Sequence, residues 1–451
     1  MKVVLISTYD LGRQPFGLAS PAAWLRRAGL EVESLDLSRE KLRAETIAGA
    51  GLIAFYLPMH TATRLALPVI DHARAINPSA TICAYGLYAS LNEELLRRHG
   101  VTIVLGPEAE ADLVAIAGAT NVPPLPAGAS KDAPLQRLNF IQPDRSGMPA
   151  LDQYASLQMP DGSRKVVGAT DATRGCKHRC RHCPIVPVYD GQFRVVPVDV
   201  VLADIRAQVE QGATHITFGD PDFFNGPTHA RRIVESMHRE FPSLSYDAII
   251  KVEHLLKHRD LLPLLAQTGC LFITNAVESV DDEVLAKLEK GHTRADFIAA
   301  AAACRDAGLT MVPTFVAFTP WTTVDGYIDL LNVVQDVGLA GHVAPVQWSI
   351  RLLVTWQSRL LELDDVRSLV GPFDPGTLTY PWKHRDQRVD DLQQRVMALA
   401  GVRLAQSREE IFEAVRELAQ AARGVAPGTR RIDLVLPSRA AIPYMNEPWY
   451  C

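Results

Sequence analysis

Apolar positions in the first 118 residues come in short, nearly continuous runs separated by amphipathic stretches. KVVLIS (2–7), EVESLDL (31–37), LIAFYL (52–57), TICAYG (81–86) and VTIVLG (101–106) read as strands. Between them, 18–29, 62–76 and 91–99 carry helical spacing of Leu, Ala and Ile, with Gly29 and Gly100 placed as stops. Strands this continuously apolar are buried on both faces, which predicts a doubly wound, Rossmann-like parallel domain over 1–118. Such sheets take ligands at the carboxyl ends of their strands, where the loop 8–18 lies, although its Gly and Pro content fits a plain turn equally well.

Residues 119–164 are rich in Pro, Gly and polar side chains without a sustained period, and read as a linker. The strand and helix patterns then resume over 165–354. Strands are expected at 166–173, 215–220, 246–252, 270–279, 310–318 and 344–354, and helices near 199–211, 227–240, 258–267, 281–289, 294–307 and 325–337. This βα repeat predicts a barrel whose strand ends carry the chemistry. The extension 355–451 holds helical stretches at 386–400 and 407–423 and a strand-like IDLVLP (432–437), and is expected to cover the open side of the barrel.

Composition narrows the class. A formal net charge of −5 and a pI near 6.2 give no global attraction for nucleic acid or an anionic membrane. No apolar run is long enough to span a bilayer, and the N-terminus lacks a signal-peptide pattern, so a cytoplasmic location is expected. Seven cysteines, odd in number and unevenly spread, do not make a disulfide scaffold.

Three of them fall within Thr173-Arg174-Gly175-Cys176-Lys177-His178-Arg179-Cys180-Arg181-His182-Cys183-Pro184. A loop of this spacing can fold Cys176, Cys180 and Cys183 around one inorganic centre and supply three of the four thiolates of a cubane iron–sulfur cluster, leaving one iron open. Lys177, Arg179 and Arg181 interleave the cysteines and are expected to offset thiolate charge. A structural zinc site that adds His178 or His182 is the alternative.

The motif resembles the radical SAM signature CxxxCxΦC, with His182 at the usually aromatic Φ position. The resemblance implies a partial (β/α)6 barrel carrying a [4Fe-4S] cluster and S-adenosylmethionine (SAM), reduced by a donor such as flavodoxin or ferredoxin. It further implies that Gly219 and Asp220 hold the SAM amino group, that Glu278 contacts the ribose and that Lys251 faces the carboxylate. His182 belongs to the same cofactor site, and Asp222, Phe223 and Phe224 would line its mouth with Asp220. The first domain is similar to the cobalamin-binding domain that precedes many such barrels, which keeps cobalamin in view, yet the chain has no Asp-x-His-x-x-Gly.

Cys83, Cys270 and Cys304 sit in apolar strands or on an amphipathic helix and read as core fillers. Cys451 follows PYMNEPWY, and this ending, with FGDPDFFNGPTHA, KVEHLL and TPWTT, resembles the radical SAM (seleno)protein family with a CUAEP/CCAEP tail. That resemblance implies a product that continues past Cys451 through selenocysteine. A soft terminal ligand suggests a small substrate that is a thiophilic metalloid or a sulfur-containing metabolite. A cobalamin-dependent radical methylase and a non-catalytic iron–sulfur protein are the competing readings.

Overall fold

A computed structural model describes residues 1–118, 139–402, 406–424 and 440–447. The expected strand 432–437 and Cys451 lie outside the described residues.

The first sheet contains β1 (Lys2–Ser7), β2 (Glu31–Asp36), β3 (Leu52–Tyr56), β4 (Thr81–Tyr85) and β5 (Ile103–Val104), all parallel in the order β2-β1-β3-β4-β5. Val4, Ile6, Ile53 and Phe55 face one apolar layer, and Val3, Leu5, Leu52 and Ala54 face the other. Alternate side chains of one strand thus bury on opposite faces, as a doubly wound sheet requires. The order reverses between β1 and β3, and the loop after β1 crosses the sheet's carboxyl edge there.

Next come the short hairpin strands β6 (Leu157–Gln158) and β7 (Arg164–Lys165), then β8 (Val167–Thr170) and the pair β9 (Thr173–Gly175) and β10 (Phe193–Val195). With β8, the strands β11 (His215–Phe218), β12 (Ser245–Ile249), β13 (Cys270–Glu278) and β14 (Thr310–Phe315) form a parallel sheet ordered β14-β13-β12-β11-β8. The intervening helices begin where the sequence places polar caps. Asp281 caps Asp282–Lys287, Thr293 and Asp296 form a capping box on Arg294–Asp306, and Thr323 caps Val324–Asp336.

The sixth strand expected at 344–354 is not formed. Residues Pro345–Ser349 make a 3-10 helix, and only Phe318 and Arg351 pair as an isolated parallel bridge. Pro345 has no backbone donor for a ladder. The Gln347 side chain instead takes the Phe315 N–H at 3.0 Å, and the Trp348 ring stacks against Phe315 at 5.9 Å between centroids.

Trp348 also meets Phe412 on the helix Arg408–Arg423. That helix and Gln387–Val402 share one core with the barrel through Val389, Leu392, Val396, Ile411, Phe412 and Val415. The C-terminal helices are therefore structural members of the barrel's edge. Near the end, β15 (Tyr444–Met445) pairs antiparallel with β6.

The described part of the stretch read as a linker is bonded into the fold. Arg145 holds Asp204 through two bonds, at 2.8 and 2.9 Å, and also donates to Gln14 Oε1 and the Ala169 carbonyl. One buried guanidinium thereby joins the loop after β1, the strand β8 and the helix Val198–Glu210. Cys83, Cys270 and Cys304 are buried in apolar clusters, as expected.

Candidate functional site

The loop that follows β9 carries the three clustered cysteines across the carboxyl ends of the barrel strands. Gly175 sets its entry with φ 80°, and a Cβ there would lie 2.6 Å from the Gln192 carbonyl oxygen, so the position suits glycine. Cys176 and Cys180 are buried and Cys183 is half-buried; the Cys183 N–H returns to the Cys180 carbonyl at 3.1 Å. Burial pushes the Cys176 thiol up to about 11 and the Cys183 thiol up to about 12, and the nearby cysteines reinforce both shifts. Ligation as thiolates therefore needs compensating positive charge from elsewhere.

The interleaved arginines do not supply it. Arg179 pairs with Asp190, Arg181 pairs with Glu289 and Glu362, and Arg174 is buried against Glu110 at 2.6 Å and Ser20 at 3.0 Å. These contacts anchor the loop to its surroundings, which corrects the charge-offset expectation. The cations that face the thiols are Lys251 and Lys290. Lys251 Nζ donates toward Cys180 Sγ at 3.8 Å, and Lys290, also buried, lies in the fields of Cys180, Cys183 and Glu278. Lys251, expected to face the SAM carboxylate, lies beside the Cys180 sulfur. Lys290 was missed, because Glu289-Lys290-Gly291 reads simply as a polar helix stop.

Glu278 ends β13 at a register shift, with φ 67°, a left-handed conformation that costs a non-glycine residue energy. Its Oε1 lies 3.2 Å from His182 Nε2 and accepts from Lys290 Nζ at 3.4 Å. Burial raises its pKa, but Lys290 and His182 outweigh burial and hold the carboxyl down at about 2. Glu278 and His182, assigned separately to the cofactor site, are thus brought together beside the cysteines.

Asp220 is fully buried, and its two oxygens accept from Ala172 N at 2.9 Å and Thr173 Oγ1 at 2.5 Å. Burial and the neighbouring Asp171 push it up to about 8. It fixes the approach to the cysteine loop. At Gly219 a Cβ would lie 2.5 Å from Asp171 Oδ1, so the missing side chain admits that carboxylate. Phe223 and Phe224 are buried, the first packed on Phe218 at 4.5 Å, so they fill core and do not line a mouth. Asp222 is buried beside His254 and His178.

A crevice of about 200 Å³ separates the cysteine loop from the first sheet, bounded by Phe16, Tyr56, Tyr85, Glu110, Arg174 and Tyr189. Tyr56 and Tyr85 pack with ring centroids 5.5 Å apart, and Tyr85 Oη donates to the Gly17 carbonyl at 2.8 Å. The loop after β1 is occupied by the chain itself: Ala155 N–H bonds the Gly12 carbonyl, and Glu447 lies against Gly12 and Arg39.

Residues 171–325 match the model of the Radical SAM superfamily. The hopanoid C-3 methylase of Methylococcus capsulatus is 24% identical over 321 residues, covering 68% of this chain and 62% of that protein. A tRNA-2-methylthio-N(6)-dimethylallyladenosine synthase of Marinomonas sp. is 22% identical over 291 residues, 58% of this chain and 57% of that protein. The chain thus spans about three-fifths of the length of these curated relatives. Among solved structures, the cobalamin-dependent S-adenosylmethionine radical enzyme OxsB, with aqua-cobalamin and SAM bound, superposes with TM-score 0.69 at 14% identity over 93% of this chain and 72% of that one. The radical SAM methyltransferase TsrM of Kitasatospora setae, with cobalamin and a [4Fe-4S] cluster bound, gives TM-score 0.63 at 14% identity over 96% and 92%. The matched stretch takes in Cys176, Cys180 and Cys183 and the strands β9 to β14.

Proposed function

We propose that this protein is a radical SAM enzyme in which Cys176, Cys180 and Cys183 hold the cluster, Lys251 and Lys290 balance its charge, and a small organic substrate is modified. The observation that carries this reading is the convergence of two buried thiols and one half-buried thiol with two buried ammonium groups at the strand ends of the barrel. When bound and reduced, such a cluster supplies the electron that breaks a carbon–sulfur bond of SAM. The chain's own part is positional. Asp220 pins the loop through Ala172 and Thr173, and Lys290 and His182 keep Glu278 ionised and aimed, ready to accept hydrogen bonds from ribose hydroxyls. Gly219 and the walls of packed aromatic side chains keep the site close and dry.

A cobalamin-dependent methylase is the second reading, favoured by the names of the relatives and by the first sheet. The side chains as they stand do not admit a corrin. The crevice holds about 200 Å³, below the ~300–1,000 Å³ that drug-sized ligands fill, and Tyr56 and Tyr85 are part of its lining. No step here runs through cobalamin. The metalloid substrate has no support from the relatives.

Product analysis tests the reading. Anaerobic turnover with a strong reductant is expected to release 5′-deoxyadenosine; methylthioadenosine would move the cleaved bond, and SAM left intact would remove the enzyme reading.

A further inference from the structure

We propose a second metal site, distinct from the three cysteines, in which His178, Asp222 and His254 bind one divalent transition-series ion, with zinc the best match. The three residues come from three elements: the cysteine loop, the turn after β11 and the helix Val252–Lys257 after β12. Their ligand atoms all lie within 4.8 Å of one another. Asp222 and His254 are 0% and 1% exposed at the side chain, and His178 is 15% exposed.

His178 Nε2, Asp222 Oδ2 and His254 Nδ1 are buried, and none makes a well-formed hydrogen bond. Asp222 Oδ2 is the one ionic partner of both imidazoles, and a shared cation would bring all three donors onto one centre in place of these pairwise contacts. Two imidazoles and a carboxylate are a donor set that zinc and its neighbours in the series accept.

The surroundings are arranged as they are around metal ligands. The other oxygen of Asp222 is committed to the Phe224 N–H at 3.3 Å and the Lys251 N–H at 3.4 Å, which turns Oδ2 toward the histidines. Glu253 Oε2 lies 3.7 Å from His178 Nδ1, the ring nitrogen facing away from the site, in the position of an orienting carboxylate. At zinc bond lengths two ligands of a tetrahedral ion lie about 3.3 Å apart. His178 and Asp222, 3.5 Å apart, already have that spacing, whereas His254, at 2.5 Å from Asp222, has to withdraw. Asp222 brings one negative charge to a divalent ion, and Glu253 Oε2, 3.7 Å from His178 and 4.0 Å from Lys251 Nζ, stands between the site and that lysine. Such an ion would tie the cysteine loop, through His178, to the ends of two barrel strands.

Cobalt(II) titrated into the anaerobic protein with its iron–sulfur cluster already installed provides the test. The expected result is one Co²⁺ per chain, with ligand-field bands of nitrogen and oxygen ligation that zinc displaces. His254→Gln should lose these bands while keeping the iron content and cluster absorbance of the parent. Overturning results are no stoichiometric Co²⁺, sulfur-to-cobalt charge-transfer bands that place the ion on the cysteines, or an unchanged spectrum in His254→Gln. Should His254→Gln fail to fold, X-ray absorption of the parent protein's cobalt decides: nitrogen and oxygen scatterers support the site, and sulfur scatterers overturn it.

Discussion

Lys251 Nζ lies 3.8 Å from Cys180 Sγ, inside the fold and pointed at a sulfur. A cation donating to a cluster sulfur favours the reduced, more negative state, so it raises the reduction potential. Lys251→Met should keep the cluster and lower its midpoint by on the order of 50 mV, equivalent to about 1.2 kcal/mol for one electron. A redox titration followed by electron paramagnetic resonance checks this, and an unchanged midpoint would separate Lys251 from the cluster.

The pairing of Glu278 with Lys290 and His182 predicts a pH-dependent stability. Its folded pKa of about 2 is below the ordinary 4.5, so the carboxylate stabilises the fold fully above pH 4.5 and that contribution fades as pH falls toward about 2. In the metal-free protein, Glu278→Gln should be less stable by about 3 kcal/mol at pH 6, partly because Lys290 loses its buried partner. The gap between variant and parent should narrow in denaturant titrations carried out from pH 4.5 downward. A gap that stays constant over that range contradicts the assignment.

Arg145 is the buried junction between the loop after β1 and the barrel. Arg145→Met leaves Asp204 buried without its ion pair, and should cost about 3–5 kcal/mol in urea unfolding. Adding Asp204→Leu should recover most of the loss. A single-variant effect below about 1 kcal/mol would show that the junction relaxes freely.

Gly219→Ala places a methyl carbon 2.5 Å from Asp171 Oδ1. Displacement of that carboxylate, next to the loop pinned by Asp220, should lower SAM turnover about a hundredfold with cluster iron intact. Iron content and 5′-deoxyadenosine release, measured on the same sample, separate this outcome from loss of the cluster.

Much of the architecture was legible. Helices 227–240, 294–307 and 407–423 stood out through apolar spacing, and the cysteine motif stood out through its own spacing. What sequence missed is non-local. The strand pattern at 344–354 is apolar enough, but Pro345 and the Gln347 bond to the Phe315 N–H make it a plug. Arg179 and Arg181 look like charge compensation until their carboxylate partners, Asp190 for the first and Glu289 for the second, are in place. Arg145 sits in a Pro- and Gly-rich stretch where nothing local marks it as a buried ligand of Asp204. No helix among the described residues is long and apolar enough to cross a membrane.

The central claim is that Cys176, Cys180 and Cys183 hold a cluster that binds SAM. Its most direct test is electron paramagnetic resonance of the reconstituted, reduced protein with and without SAM. The account predicts a [4Fe-4S] signal of about four irons per chain that changes on adding SAM and disappears in Cys180→Ala. A protein that takes up zinc in place of iron at these cysteines, or a cluster signal indifferent to SAM, would contradict it.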